Sequence, residues 1–377
     1  MERKICARCV MDTTDSKIVF DKDGVCDHCH NFDENILPHW HTDERGKEQL
    51  DAICADIKKY GQGKKYDCII GLSGGMDSSY LAYYAVRKLG LRPLFICVDT
   101  GWNLPVAENN TNNIIDRLGV RDSVVDVKID HEQMMDLQLA YFKSAVPYQD
   151  TPQDHVIFAS LYNTAVKHGI KYVLTGGNYS TECVREPNEW VYWNDLRMIK
   201  DIHRRFGTKP MNKLPQCSMF KHRLYYRYFK GMRIIKPLNM IPYTKKDALE
   251  LLKAEFDWEP YQNKHYESIF TRFYEGWWLI NKFGYDKRKA HFSSLILTGQ
   301  KTRDEALKEL AQPPYSEETA MQDMKYIADN MGISTDEFME LMKLPNKSYK
   351  DYKNSFGLIN LAIKVARIFG IERMQYR

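Results

Sequence analysis

At 377 residues and 44% hydrophobic, the chain is long enough to bury a sizeable core and to hold two or three structural units. Its formal charge of +4 is too mild to imply polyanion binding over the whole surface. No apolar stretch follows the charged start "MERKICARCV" and no run is long enough to span a bilayer, so the chain reads as cytoplasmic, without membrane insertion.

The first forty residues hold two knuckles, "CARC" (Cys6, Cys9) and "CDHC" (Cys26, Cys29), sixteen residues apart. In a reducing compartment such cysteines point to metal before disulfides. Four thiolates in paired knuckles suit a closed, tetrahedral, structural Zn2+ site. Between them "KIVFDKDGVC" reads as a short strand and a turn at Asp23-Gly24, as in a zinc ribbon. His28 and His30 could serve as ligands, but four cysteines already fill the shell. The expected unit spans residues 1–40, and metal rather than core burial holds it together.

From Lys65 onward strands and helices alternate. "YDCIIGL", "LFICVD", "SVVDVKI" and "IKYVLTGG" read as strands, while "SSYLAYYAVRKL", "ENNTNNIIDRLG" and "DHVIFASLYNTAVKHG" read as helices. This order predicts an α/β fold, a doubly wound parallel sheet covered on both faces, with ligands at the carboxyl ends of its strands. "IIKPLNMIPYTKKDALELL" supplies a last strand and a helix, giving an expected sheet domain over 41–245 and a helical C-terminal region over 246–377. "EETAMQDMKYIADNMGISTDEFMELMKL" and "SFGLINLAIKVARIFG" read as amphipathic helices.

At the first strand's end stands "LSGGMDSS". A glycine turn that opens a helix leaves backbone N–H groups for an anion, and the helix dipole favours negative charge there. Neither GxxxxGK[ST] nor GxGxxG is present at this turn. S-G-G-x-D-S in this strand–turn–helix setting resembles the pyrophosphate loop of the N-type ATP pyrophosphatases, the PP-loop superfamily, whose sheet is adenine nucleotide α-hydrolase-like. The resemblance implies ATP as cofactor, with Mg2+. Ser73, Gly74, Gly75, Asp77 and Ser78 would hold pyrophosphate, and Val98, Asp99 and Thr100 would meet adenosine. "TGGN" looks like the second loop of that group, with Gly176, Gly177 and Asn178 at the nucleotide. Acids that relatives carry just after the Asn are missing here, which leaves Asp77 and Glu182 as candidate magnesium ligands.

The four-cysteine head, "LSGGMDSSYLA" and the stretch from Asn263 to Tyr315 together resemble the N-acetyl sugar amidotransferases of bacterial surface-polysaccharide (lipopolysaccharide O-antigen) synthesis. The resemblance covers about Cys6 to Tyr315. It implies adenylation of an acetamido oxygen and displacement of AMP by ammonia, giving an acetamidino sugar. It also implies partners: a separate glutaminase and an ammonia-channelling subunit, resembling the halves of imidazole-glycerol-phosphate synthase. No cysteine here sits in a glutaminase-like G-x-C-x-G elbow.

Between Arg197 and Lys236 there are twelve Lys or Arg and one acid, Asp201. That segment suits an anionic sugar or nucleotide-sugar, so Lys200, Arg204 and Arg205 are candidate anchors, with Asp77, Lys200 and Arg204 taken as catalytic. His265, Glu267, Arg272, Lys287, Arg288 and His291 are candidates to complete the substrate pocket. The competing expectation is a tRNA-thiolating enzyme with the same nucleotide chemistry, using Cys183 or Cys217. A zinc-ribbon nucleic-acid binder is a third reading, and RNA is not the expected partner.

Overall fold

The computed structural model describes residues 3–191, 195–261, 264, 266–358 and 361, together with all their side chains except that of Arg223. His265, and residues 359–360 and 362–370 of the last expected amphipathic helix, lie outside the described residues. Among the described residues no helix is long and apolar enough to cross a membrane.

Five short strands form one sheet: β1 (Cys68–Gly71), β2 (Pro93–Asp99), β3 (Val124–Lys128), β4 (Tyr172–Leu174) and β5 (Arg233–Ile235). Their order is β3-β2-β1-β4-β5 and every pairing is parallel. Central β1 and β4 are apolar on both faces, with Ile69, Ile70, Val173 and Leu174 buried, as a sheet covered twice requires. One face is covered by α1 (Glu44–Gly61), α2 (Met76–Tyr83), α3 (Pro105–Leu118) and, from far along the chain, the helix Lys245–Phe256. The other carries the helix Thr151–Lys167 through Ala159, Leu161, Tyr162 and Ala165. The order reverses between β1 and β4, which puts the topological switch point beside the end of β1.

Local signals set the helix limits. Pro105 opens α3 and left-handed Gly119 closes it. The helix Lys245–Phe256 starts at Thr244, whose side chain accepts from the Asp247 amide, so the 245/246 boundary expected from sequence falls at its N-terminus.

The C-terminal helices do not stand apart. Phe270, Phe273, Trp277 and Trp278 pack with Met134, Leu137 and Phe142 of the helix His131–Lys143, and with Ile327 and Phe338 further on. Phe142 meets Trp278 edge-on at 4.7 Å and Phe338 at 4.8 Å. Burial of each such aromatic contributes about 1.5–3 kcal/mol. The aromatic run "FYEGWWLINKFGY" is therefore core, and the helices Glu317–Met331 and Thr335–Met342 turn their apolar faces into it.

Candidate active site and zinc centre

The four cysteines of the N-terminal knuckles are fully buried, and their sulfurs all lie within 4.8 Å of one another. Sγ–Sγ separations of 3.9 Å (Cys6–Cys29), 3.6 Å (Cys9–Cys26) and 3.7 Å (Cys26–Cys29) match the roughly 3.8 Å edge of a tetrahedron with Zn–S bonds of about 2.3 Å. Backbone amides of Arg8, Cys9 and Cys26 point at Cys6 Sγ, so the donor set fits zinc. His28 and His30 are engaged by Asp15 and Asp21, each at 2.8 Å, and stay outside the shell. The knuckles dock on the chain's own C-terminal region: Arg303 donates to the carbonyls of Cys6 and Cys9, and buried Lys289 pairs with Asp12 at 2.9 Å.

At the end of β1 the turn Ser73-Gly74-Gly75 leads into α2. Gly74 has φ +78°, and a Cβ on it would lie 2.4 Å from the Ala107 carbonyl oxygen, so only glycine fits. Trp258 Nε1 and Tyr261 OH both donate to the Gly74 carbonyl, at 3.1 and 3.0 Å, which fixes the peptide between the two glycines. Ser78 Oγ stands 3.2 Å from Ser73 Oγ and donates to Gly75 O, bracing the turn from within. With the first amides of α2, the turn presents backbone donors of the kind that can hold a phosphate.

The second loop closes against it. A Cβ on Gly176 would lie 2.9 Å from the backbone carbon of Asp77, so the absence of a side chain lets the end of β4 touch the start of α2. Asn178 works as a cap: it accepts from the Thr181 amide at 2.9 Å and donates to Gly176 O, and it is buried. Asp77 accepts from the Tyr243 hydroxyl and from Lys264 Nζ at 3.1 Å, and the same ammonium meets Glu182 at 2.7 Å. Burial pushes the Lys264 pKa down, but Asp77 and Glu182 more than reverse this and hold it above the usual lysine range. Asp77 and Glu182, the candidate magnesium ligands, thus lie on one ammonium and share the same corner of the site.

Two clefts open from this centre. The first, about 600 Å3, follows the carboxyl ends of β1–β3 and is lined by Ser73, Val98, Asp99, Thr100 and Glu267, among others. The second, about 1380 Å3, runs between the zinc ribbon, the loop 181–191 and the helix Arg288–Leu297, with Lys236, Lys245, Lys264 and Lys301 on its wall. Tyr148, Asp154, Glu186, Val191, Glu275 and Lys287 line both. Burial lowers the pKa of Lys236 and of Lys245.

Several expected anchors are elsewhere. Arg204 and Arg205 both pair with buried Asp201 at 2.6 Å, and Arg205 covers the Tyr352 ring, so they dock the segment around Tyr352. Lys200 is exposed on the same helix, Leu196–Phe206, and none of the three lines either cleft. Arg272 grips Asp323 through two bonds of 2.8 and 2.7 Å and is a packing residue. Arg288 lines the second cleft but is engaged by Asp286 and by the carbonyls of Glu309 and Gln312. His291 lines the second cleft, Glu267 the first, and Lys287 both. Lys264, Lys245, Trp258 and Tyr261 were not singled out from sequence; no motif marks them, since each arrives from a distant loop.

Fold and turn together define the class: a doubly wound parallel α/β protein with a glycine turn at the carboxyl end of its first strand and an N-terminal four-cysteine cluster. Residues 267–366 match the family model described as LPS biosynthesis protein WbpG-like, C-terminal domain. An uncharacterized protein of Methanocaldococcus jannaschii, MJ1599, is 26% identical over 192 residues, 49% of this chain and 64% of its own length. The tRNA-specific 2-thiouridylase MnmA 2 of Fusobacterium nucleatum is 28% identical over 144 residues, 35% of this chain and 40% of its own. The chain thus spans less than two thirds of the curated relatives it matches. Among solved structures, NMN synthetase from Francisella tularensis is matched over 81% of this chain and 97% of that one, at 15% identity and a TM-score of 0.31.

Proposed function

We propose that the protein is an ATP-dependent, AMP-forming amidotransferase that converts the acetamido group of an anionic sugar into an acetamidino group. One observation carries the reading. The cleft that starts at the phosphate turn meets a second, lysine-walled cleft, and the WbpG-like region supplies Glu275 and Lys287 where they join. ATP would lie with its phosphates on Ser73–Ser78 and its adenosine toward Val98–Thr100. The sugar would enter from the second cleft with its carboxylate or diphosphate toward Lys236, Lys245 and Lys301. An amide is a poor electrophile with a poor leaving group. Attack of its oxygen on the α-phosphorus expels pyrophosphate and makes AMP the leaving group, after which ammonia replaces it. Magnesium would come to such a site with the nucleotide and would neutralise phosphate charge there.

Ammonia from a separate glutaminase subunit, with a channelling partner, completes the scheme. The cysteines support this: four belong to the ribbon, and the other five are buried or half-buried thiols rather than exposed nucleophiles. The likeness to a thiouridylase favours tRNA thiolation as the second reading. Against it, burial pushes the Cys183 thiol up to about 12, and Cys217 is raised by burial as well. A thiolate nucleophile needs the opposite shift.

The test is mass spectrometry of products from ATP, magnesium, an ammonium salt at raised pH and a panel of N-acetylated sugar acids and nucleotide-sugars. The expected result is AMP together with replacement of one oxygen by NH on one sugar. AMP released only when tRNA is added, and lost in Cys183→Ser or Cys217→Ser, overturns the reading in favour of thiolation.

A further inference from the structure

Where the two clefts meet, carboxyl groups gather around Lys287. Lys287 is nearly buried, with Glu275 at 2.7 Å and Glu186 at 3.4 Å, and Tyr274 presents its ring 5.5 Å away. Asp154 lines the same junction. Asp150 stands beside it in the first cleft and accepts from Thr271 at 3.3 Å and Gln153 at 3.4 Å. Gln153 in turn accepts from Thr100, at the end of β2, so this chain of bonds ties the junction to the nucleotide end of the sheet. Glu275 and Glu186 thus pair with the Lys287 ammonium, and Asp150 and Asp154 line the cleft beside it. The Glu275 side chain is only 10% exposed and its Oε1 takes Lys287, yet among the described residues no donor reaches its Oε2. Asp150 Oδ2 is equally without a donor among the described residues. Burial raises the Asp150 pKa well above the usual carboxylate range, Lys287 pulls it back, and Glu275 and Asp154 raise it further.

We infer that Glu275 and Asp150 are further catalytic residues of the proposed reaction, Glu275 as counter-ion to an amidinium group and Asp150 as acceptor of the proton released when it forms. The inference rests on the proposed function and names the charge of its product. The O-adenylyl imidate keeps the N–H proton of the amide and is therefore a cation; ammonia adds to its carbon, forming a C–N bond while the C=N π pair returns to nitrogen as a neutral N–H. The new –NH3+ loses a proton to Asp150. The C–O bond then breaks, AMP leaves with the pair, and a C=N bond re-forms as an amidinium. A neutral amide has become a permanent planar cation, which pairs with carboxylate as a guanidinium does. An anionic, largely desolvated junction lowers the energy of that charge as it develops. Thiolation yields a neutral product and has no use for it.

The test uses the zinc-loaded full chain, Glu275→Gln and Asp150→Asn, with thermal unfolding as the folding control. Acetamidinium chloride, a minimal product mimic, is titrated calorimetrically into each protein in the presence of AMP. Wild type should bind it about tenfold or more tighter than Glu275→Gln, whereas neutral acetamide should not distinguish them. With the sugar that wild type amidinates, both variants should keep sugar-dependent ATP–pyrophosphate exchange within about threefold, yet lose amidine formation at saturating ammonia by about 100-fold or more. Equal acetamidinium affinity in wild type and Glu275→Gln, or exchange and amidination falling together, overturns the inference. If Glu275→Gln does not fold, isosteric Asp150→Asn carries the same kinetic split. Should no sugar support exchange in wild type while acetamidinium still discriminates, the proposed sugar reaction fails and the cation site stands.

Discussion

Single side chains decide this site by what they exclude as much as by what they contact. Gly176 is the clearest case: a methyl group there would lie 2.9 Å from the Asp77 backbone, and backbone cannot swing aside as a side-chain tip can. Gly176→Ala should therefore destabilise the fold by about 1–3 kcal/mol and push the second loop off α2. The expected outcome is a lowered unfolding midpoint with ATP affinity, measured by calorimetry, reduced at least as much as sugar affinity. The glycine was visible in "TGGN". Its reason was not, because Asp77 lies 99 residues earlier and only the parallel pairing of β1 with β4 brings the two together. Lys264 illustrates the converse. It stands in an unremarkable stretch, and only folding sets its ammonium between Asp77 and Glu182.

Among the elements, the zinc ribbon was the easiest to foresee and its role the hardest. Two CxxC knuckles specify four thiolates at local spacing, so the metal site is legible without tertiary structure. That the ribbon builds one wall of the second cleft, through Asp15, Lys17 and His28, is not. Cys26→Ser should drop bound zinc from about one to near zero per chain by elemental analysis, and should open residues up to about 40 to limited proteolysis. Because the phosphate turn lies in the sheet's own core, ATP affinity should stay within about threefold while the sugar KM rises by about tenfold or more. A fall in ATP affinity of the same size would mean that the ribbon props the sheet itself. The helix Leu196–Phe206 failed in the other direction: its charges looked like a substrate platform, but Arg204 and Arg205 converge on Asp201 and tie down the chain near Tyr352.

At the scale of the molecule, one shared core packs the helix His131–Lys143 against the helices of the region 267–366 that reach the junction of the clefts. Arg272→Ala tests this. It removes a mostly buried ion pair with Asp323 between the helix Ile269–Phe273 and the helix Glu317–Met331, about one turn before Glu275 and outside both clefts. The stability loss should be about 2–4 kcal/mol by denaturant titration, with KM for ATP and sugar nearly unchanged in the protein that remains folded. A selective rise in the sugar KM would return Arg272 to the binding pocket. By itself the sequence determined the alternation of strands and helices, the phosphate turn at the end of β1 and the four thiolates, because each is a matter of local periodicity or spacing. Only the tertiary structure decided which charges face the clefts: Lys236, Lys245, Lys264 and Glu275 rather than Lys200, Arg204 and Arg272. Those residues come from separate loops and helices, and the carboxyl edge of a parallel sheet gathers them by topology, which no local pattern records.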